Sequence, residues 1–269
     1  MKKMFFLFLA LCSLVFGKSL SEIRNSGVIR IGVLTEHAPF SQLKDGVFEG
    51  FEIEFSKNIA KGLFGEKGGK VDFIATDMNQ RMEFLENNKV DLVVAILSIT
   101  EEREKRIDFS MPYFSVNLGV LTRKNDSVNS IASLRSKTIL VEDGTIAQDY
   151  LNKNGYNTTP CFHSGECYKM LKDGKADAYA NDNIIVLTYP VVDRTVEVNI
   201  KNLGNYDFLG IGVQRGNSEL LAEVNNQLIR LSKEGFFKKA FEETLDPFYK
   251  GTAERKYFLL DDIYNSFTR

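Results

Sequence analysis

Polar residues stand where several short apolar runs end, and together they could hold a small zwitterion. Ser98 and Thr100 follow the apolar run Val90 to Ile96, and Arg103 comes one turn into the segment that Thr100 opens. Gly144 and Thr145 follow the run Thr138 to Val141 and precede a helical pattern that starts at Ile146. Asp182 follows the run Asp177 to Ala180. Open α/β sheets bind ligands beyond the carboxyl ends of their strands. A guanidinium makes a planar two-point contact with a carboxylate, and a helix N-terminus offers unpaired N–H groups to the same kind of anion. An arginine and a helix start on one side, with an aspartate opposite, therefore suit an α-carboxylate and an α-ammonium. Each residue taken alone reads as a cap or a surface charge. Their shared position at strand ends favours a binding site.

Other chemistries lack their residues. Gly68-Gly69-Lys70 is followed by Val71 rather than Ser or Thr, and Phe64 stands where a phosphate loop needs its first glycine. Only two histidines occur, His37 and His163, and their surroundings show no zinc-ligand spacing. There is no Gly-x-Ser-x-Gly elbow. The formal net charge is −2, with no basic stripe for nucleic acid. No cofactor and no metal are expected. An enzyme would need a cleft acid, and Glu142 and Glu36 are the candidates besides Asp182.

The elements that must position these residues alternate in an α/β pattern. Val28 to Leu34 reads as a strand. Phe51, Phe55, Ile59 and Leu63 form the apolar stripe of a helix. Strands are expected at Val71 to Ala75 and, fully buried, at Val90 to Ile96, with a short helix at Arg81 to Asn87 between them. Thr100 reads as an N-cap. The pattern restarts with strands at Thr138 to Val141, up to Phe162, and at Asp177 to Ala180. Helices are expected from Ile146, over Ser164 to Leu171, and over Asn183 to Tyr189. Leu220, Val224, Leu228 and Leu231 mark a last amphipathic helix. Two α/β units joined by two connections, near 117–122 and 206–213, would enclose a cleft.

The start of the chain reads as an export signal. Lys2 and Lys3 precede an apolar stretch from Met4 to Phe16, and Val15-Phe16-Gly17 resembles a cleavage site. Cleavage after Gly17 leaves Lys18 first in the periplasm. Leu11, which is not small, argues against lipid attachment at Cys12. Export leaves Cys161 and Cys167, an even pair in an oxidising compartment, which favours a disulfide over two buried thiols.

At this point the motifs resemble a known family. Gly27 to Val33, Pro39-Phe40, Gly50-Phe51-Glu52 and the long segment Val90 to Phe114 are similar to the family 3 periplasmic solute-binding proteins, receptors of polar amino-acid ABC importers. Glu142-Asp143-Gly144-Thr145 and Asp177 to Asp182 resemble its glycine-threonine turn and aspartate-ending strand. The resemblance implies a two-lobed α/β clamp of the type II periplasmic-binding-protein fold, with two crossovers forming a hinge. Residues 18–118 plus 210–250 would form one lobe and 119–209 the other, after a signal peptide at 1–17 and before a tail at 251–269. It implies that Arg103 grips a ligand carboxylate, helped by Ser98, the backbone at Ile96, Thr145 and the N–H of Ile146. Asp182 would hold the ammonium and Phe51 would pack on aliphatic carbon. His37, Glu142 and Ile96 depart from the usual pattern at positions that shape side-chain preference, and Arg81 either reaches the ligand side chain or braces the lobe. Asn79 to Asp91 and Phe236 to Leu245 look most like a subgroup that binds cysteine and other small polar amino acids. The expected protein is a monomeric receptor working with an importer's membrane subunits. The competing reading is a cleft dehydratase on the same fold.

Overall fold

The structure is a computed structural model that describes residues 17–126 and 128–252. The expected signal peptide and the tail beyond Thr252 lie outside the described residues, apart from Gly17. In chain order the strands are β1 (Val28–Val33), β2 (Glu36–His37), β3 (Ser41–Lys44), β4 (Val47–Glu49), β5 (Lys70–Ala75), β6 (Leu92–Val93) and β7 (Ile107–Phe109). They continue as β8 (Phe114–Arg123), β9 (Thr138–Glu142), β10 (Asn157–Cys161), β11 (Ala178–Asp182), β12 (Val196–Leu209) and β13 (Gly212–Gln214).

Two five-stranded sheets form the lobes. The first has the order β5-β1-β6-β13-β7, and the second β10-β9-β11-β8-β12. β1 runs parallel to β5 and β6, and β9 runs parallel to β10 and β11. β13 returns antiparallel between β6 and β7, so the first lobe is completed by chain that has already traversed the second. β8 joins the second sheet from Phe114 onward, ahead of the boundary expected at 118. The two crossings are bound to each other and to the segment that follows β6: Tyr113 N–H donates to the Leu209 carbonyl at 2.9 Å, and Gly210 N–H to that of Leu97 at 3.0 Å. A third, small sheet of β2, β3 and β4 follows β1.

Local sequence explains most elements. The helix Phe51–Phe64 buries Phe51, Phe55, Ile59 and Leu63, the stripe read from the sequence. It begins at Gly50, where φ is 123° and a Cβ would lie 2.5 Å from the Phe40 carbonyl oxygen. Only glycine fits there. Thr100 caps the helix Glu101–Glu104 by accepting from Arg103 N–H. The apolar run from Val90 is buried throughout, but pairs as a strand only over Leu92–Val93. Ile96 ends it by adopting φ 47°. The helix expected over Asn183 to Tyr189 divides into Asn183–Val186 and Tyr189–Val192. Pro190 has no N–H to give the Val186 carbonyl, so one continuous helix loses a bond there. Among the described residues no helix is long and apolar enough to cross a membrane.

Cys161 and Cys167 are joined in a disulfide that ties the end of β10 to the helix Ser164–Lys172. The bridge closes a short loop, so its stabilisation is expected to be about 2 kcal/mol. Urea unfolding of the oxidised protein against a Cys161→Ser/Cys167→Ser variant measures it. Coincident midpoints would contradict the expectation.

Candidate functional site

The carboxyl ends of β6, β9 and β11 bring the expected polar residues to the junction of the lobes. The cap at Thr100 turns Arg103 inward, and its buried guanidinium donates to the Ser98 carbonyl at 2.8 Å and, across the junction, to the Gly144 carbonyl at 3.0 Å. Further contacts cross the junction, among them the Tyr249 hydroxyl, which donates to the Ile184 carbonyl at 2.6 Å. His37 Nε2 and Ser164 Oγ are 3.1 Å apart, and Asn79 Nδ2 donates to Asp143 at 3.4 Å. The lobes are therefore closed on each other.

Asp182 ends β11 and occupies the N-cap of Asn183–Val186, but its side chain makes no cap hydrogen bond. The buried carboxylate lies within electrostatic reach of Arg81 and Arg103 from the first lobe. Burial pushes it up to about 7, with Arg81 and Arg103 pulling it down and Asp207 and Glu142 pushing it up. Thr145 caps the helix Ile146–Lys153. Its hydroxyl donates to the Glu142 carbonyl at 2.7 Å and accepts from Gln148 N–H. A threonine has one hydroxyl proton, so this side chain has none left for a ligand carboxylate. The backbone N–H of Ile146 belongs to the first turn of that helix, where N–H groups have no partner within the helix.

Arg81 opens the helix Arg81–Glu86 and is buried. Its Nη1 donates to the carbonyls of Ala95 and Ile96, both at 2.8 Å. These bonds brace the first lobe, while Arg81 Nη2 donates to the Gly144 carbonyl across the junction at 3.5 Å. Burial lowers it to about 9, with Arg103 adding to the effect and Asp182, Glu142 and Glu52 opposing it. Phe51 is placed differently from the expectation. It packs among Phe40, Phe55, Tyr113, Phe114 and Phe236 in the first lobe's core, and lines an outer groove with Glu54 and Asn58. Its neighbours consume its apolar surface, so it does not join the polar residues in the cleft.

His37 comes from β2, and its Nδ1 is enclosed without a hydrogen-bond partner. Burial, with Arg81 and His163 nearby, pushes the imidazolium down to about 3, so the ring is neutral at physiological pH. Glu142 accepts from Ser164 Oγ at 2.6 Å, Asn181 Nδ2 at 2.8 Å and Tyr179 at 3.3 Å. Burial raises it and these donors oppose the rise. His37 and Glu142 line a cavity of about 60 Å³ with Thr76, Met78, Asp77 and the exposed Glu36. Arg81 and Arg103 line a second space of about 340 Å³ with Asn79, Gly144 and Asp149. Among the described residues no cluster of three or more His, Cys, Asp or Glu could hold a metal.

The profile of the bacterial extracellular solute-binding proteins, family 3, matches residues 29–246. The chain belongs to this family. It is 30% identical over 231 residues to the glutamine-binding protein of an ABC transporter from Bacillus subtilis, covering 84% of each chain. A solute receptor for L-cysteine from Neisseria gonorrhoeae is 35% identical with a TM-score of 0.85, over 90% of this chain and 99% of that one. A cysteine-binding protein from Campylobacter jejuni is 34% identical with a TM-score of 0.84, over 89% and 98%. The two-lobed fold is shared with these receptors. Membership in a family of binding proteins fits a receptor better than the dehydratase alternative.

Within this family 3 framework the sequence reading missed Ser164, Asn181 and Tyr179, which surround Glu142. Asn181 had a usable signal, since a polar residue directly before Asp182 on a buried strand needs a partner. Ser164 read only as the start of a helix.

Proposed function

We propose that this protein is a periplasmic receptor that binds a free small polar amino acid, with cysteine the first choice, between its lobes and delivers it to an ABC importer. The carrying observation is a buried arginine and a buried, uncapped aspartate at the junction of the lobes. Arg103 and the N–H of Ile146 meet the ligand carboxylate, and Asp182 meets its ammonium. Ser98 and the backbone at Ile96 complete the first lobe's side. The side chain points to the cavity beside His37 and Glu142, which has room for only a few waters and so suits a short polar group. The ligand shifts the population toward the closed form because it touches both lobes, and its contacts add to the direct hydrogen bonds between them. The cysteine specificity of the two similar receptors supports this choice. The chain is exported by its N-terminal signal, starts at Lys18 when mature, and acts as a monomer.

Calorimetry on ligand-stripped, refolded protein against cysteine, cystine, serine, glutamine and arginine is the test. A short polar amino acid is expected to bind at least about tenfold more tightly than glutamine or arginine, a gap of about 1.4 kcal/mol. Preference for arginine would overturn the small-ligand assignment, and no binding by any amino acid would overturn the receptor.

A further inference from the structure

Ile96 ends the run that leads to Ser98, and its φ of 47° is a conformation that β-branched residues rarely adopt. Three contacts hold it there. Its N–H donates to Glu52 Oε1 at 2.8 Å, its carbonyl accepts from Arg81 at 2.8 Å, and the carbonyl before it accepts from the same Arg81 nitrogen. Glu52 lies in the first turn of Phe51–Phe64, fully buried beside an aromatic core. One of its oxygens accepts both Ile96 N–H and the Tyr113 hydroxyl, the latter at 2.6 Å, while Oε2 is buried with no partner. A carboxylate in that place is a poor packing group, because burial penalises its charge. Its directed bonds are what the position uses.

We propose that Glu52 is a positioning residue that holds Ile96 in this left-handed turn, and through the turn aims the Ile96–Ser98 segment at the cleft. The segment needs aiming because its next groups are committed at fixed points. The Leu97 carbonyl accepts from Gly210 N–H in the returning crossing, and the Ser98 carbonyl accepts from Arg103. A relaxed turn at Ile96 would move both. Arg81 grips the carbonyl side of the same turn. The consequence for ligand rests on the receptor reading above, whereas the turn itself does not.

The test is a double-mutant cycle. Glu52→Met removes the acceptor at similar size, and Glu52→Gln keeps one. Each is placed on an Ile96→Ala background, which retains the unfavourable φ, and an Ile96→Gly background, which removes it. On Ile96→Ala, Glu52→Met is expected to weaken L-cysteine binding about tenfold or more, with Glu52→Gln within about threefold. On Ile96→Gly, the Glu52→Met loss should shrink to below about threefold. Urea midpoints of the ligand-free variants should show the same coupling. Equal losses in both backgrounds overturn the proposal. If the parent binds no amino acid, the receptor reading fails and the urea cycle alone still decides whether Glu52 holds the turn.

Discussion

Arg103→Ala is expected to weaken amino-acid binding by about 3–5 kcal/mol, two to four orders of magnitude in Kd. The guanidinium is buried and oriented by the Ser98 carbonyl on its own lobe and by the Gly144 carbonyl on the other. Removing it would leave a ligand carboxylate enclosed without its countercharge, which is the costly half of breaking a buried ion pair. Arg103→Lys separates charge from geometry. Lysine keeps a positive point charge but cannot reproduce the planar two-point contact, so most of the loss should remain. Burial already presses on Arg103, so the empty alanine variant should stay folded and unfold at a urea midpoint near that of the parent. Calorimetry and urea unfolding on the same preparations distinguish the outcomes. Parent-like affinity in Arg103→Ala would mean that the carboxylate is held elsewhere.

How much of this was legible in the sequence depends on whether the signal was local. The stripe of Phe51, Phe55, Ile59 and Leu63, the Thr100 cap and the restart of the α/β pattern at Thr138 are local, and the structure has them. Asp182 at a strand end and Arg103 one turn into a capped helix stand where short windows of sequence put them. The long antiparallel pairing of β8 with β12 joins Arg123 to Val196 and Phe114 to Leu209, partners too distant in the chain for periodicity to link. The small sheet over β2, β3 and β4 hid in a polar stretch without a long alternating run. Phe51 shows the limit of a motif. Position beside a binding loop suggested ligand contact, but five neighbouring rings fix the side chain in the core. The φ of Ile96 left no mark in the sequence, since an isoleucine gives no hint of a left-handed turn.

In His37→Gln the empty protein should close more readily as pH falls through about 7, and bound ligand should abolish that dependence. With the lobes closed, Asp182 sits at about 7 because of burial, against an ordinary value of 3.8. In an open cleft, water reaches the carboxylate and its affinity for the proton returns toward that ordinary value. The closed form therefore binds the proton more tightly than the open one. Asp182 thus favours closure as pH falls below about 7, whereas His37, held down to about 3 by burial at the junction against an ordinary 6.5, takes up its proton more readily in the open form and opposes closure below about 6.5. Above 7 the ionised Asp182 resists closure, because Arg81 and Arg103 offset its burial only in part and Asp207 and Glu142 add repulsion. A ligand ammonium supplies the missing countercharge, so the complex closes with Asp182 ionised. Glu52 is also raised to about 7, but both its donors, Ile96 and Tyr113, belong to the first lobe and its first crossing. It does not distinguish open from closed. Small-angle scattering at pH 5 and pH 8, with and without saturating L-cysteine, reads the compaction. In His37→Gln, which removes the opposing titration, the radius of gyration of the empty protein should be smaller at pH 5 than at pH 8, and the liganded value should be the same at both. On the same His37→Gln background Asp182→Asn should compact without regard to pH and lose about 3–5 kcal/mol of binding, since the ammonium then has no carboxylate to meet. A pH-dependent radius that persists in Asp182→Asn would assign the titration to another group and overturn this role for Asp182.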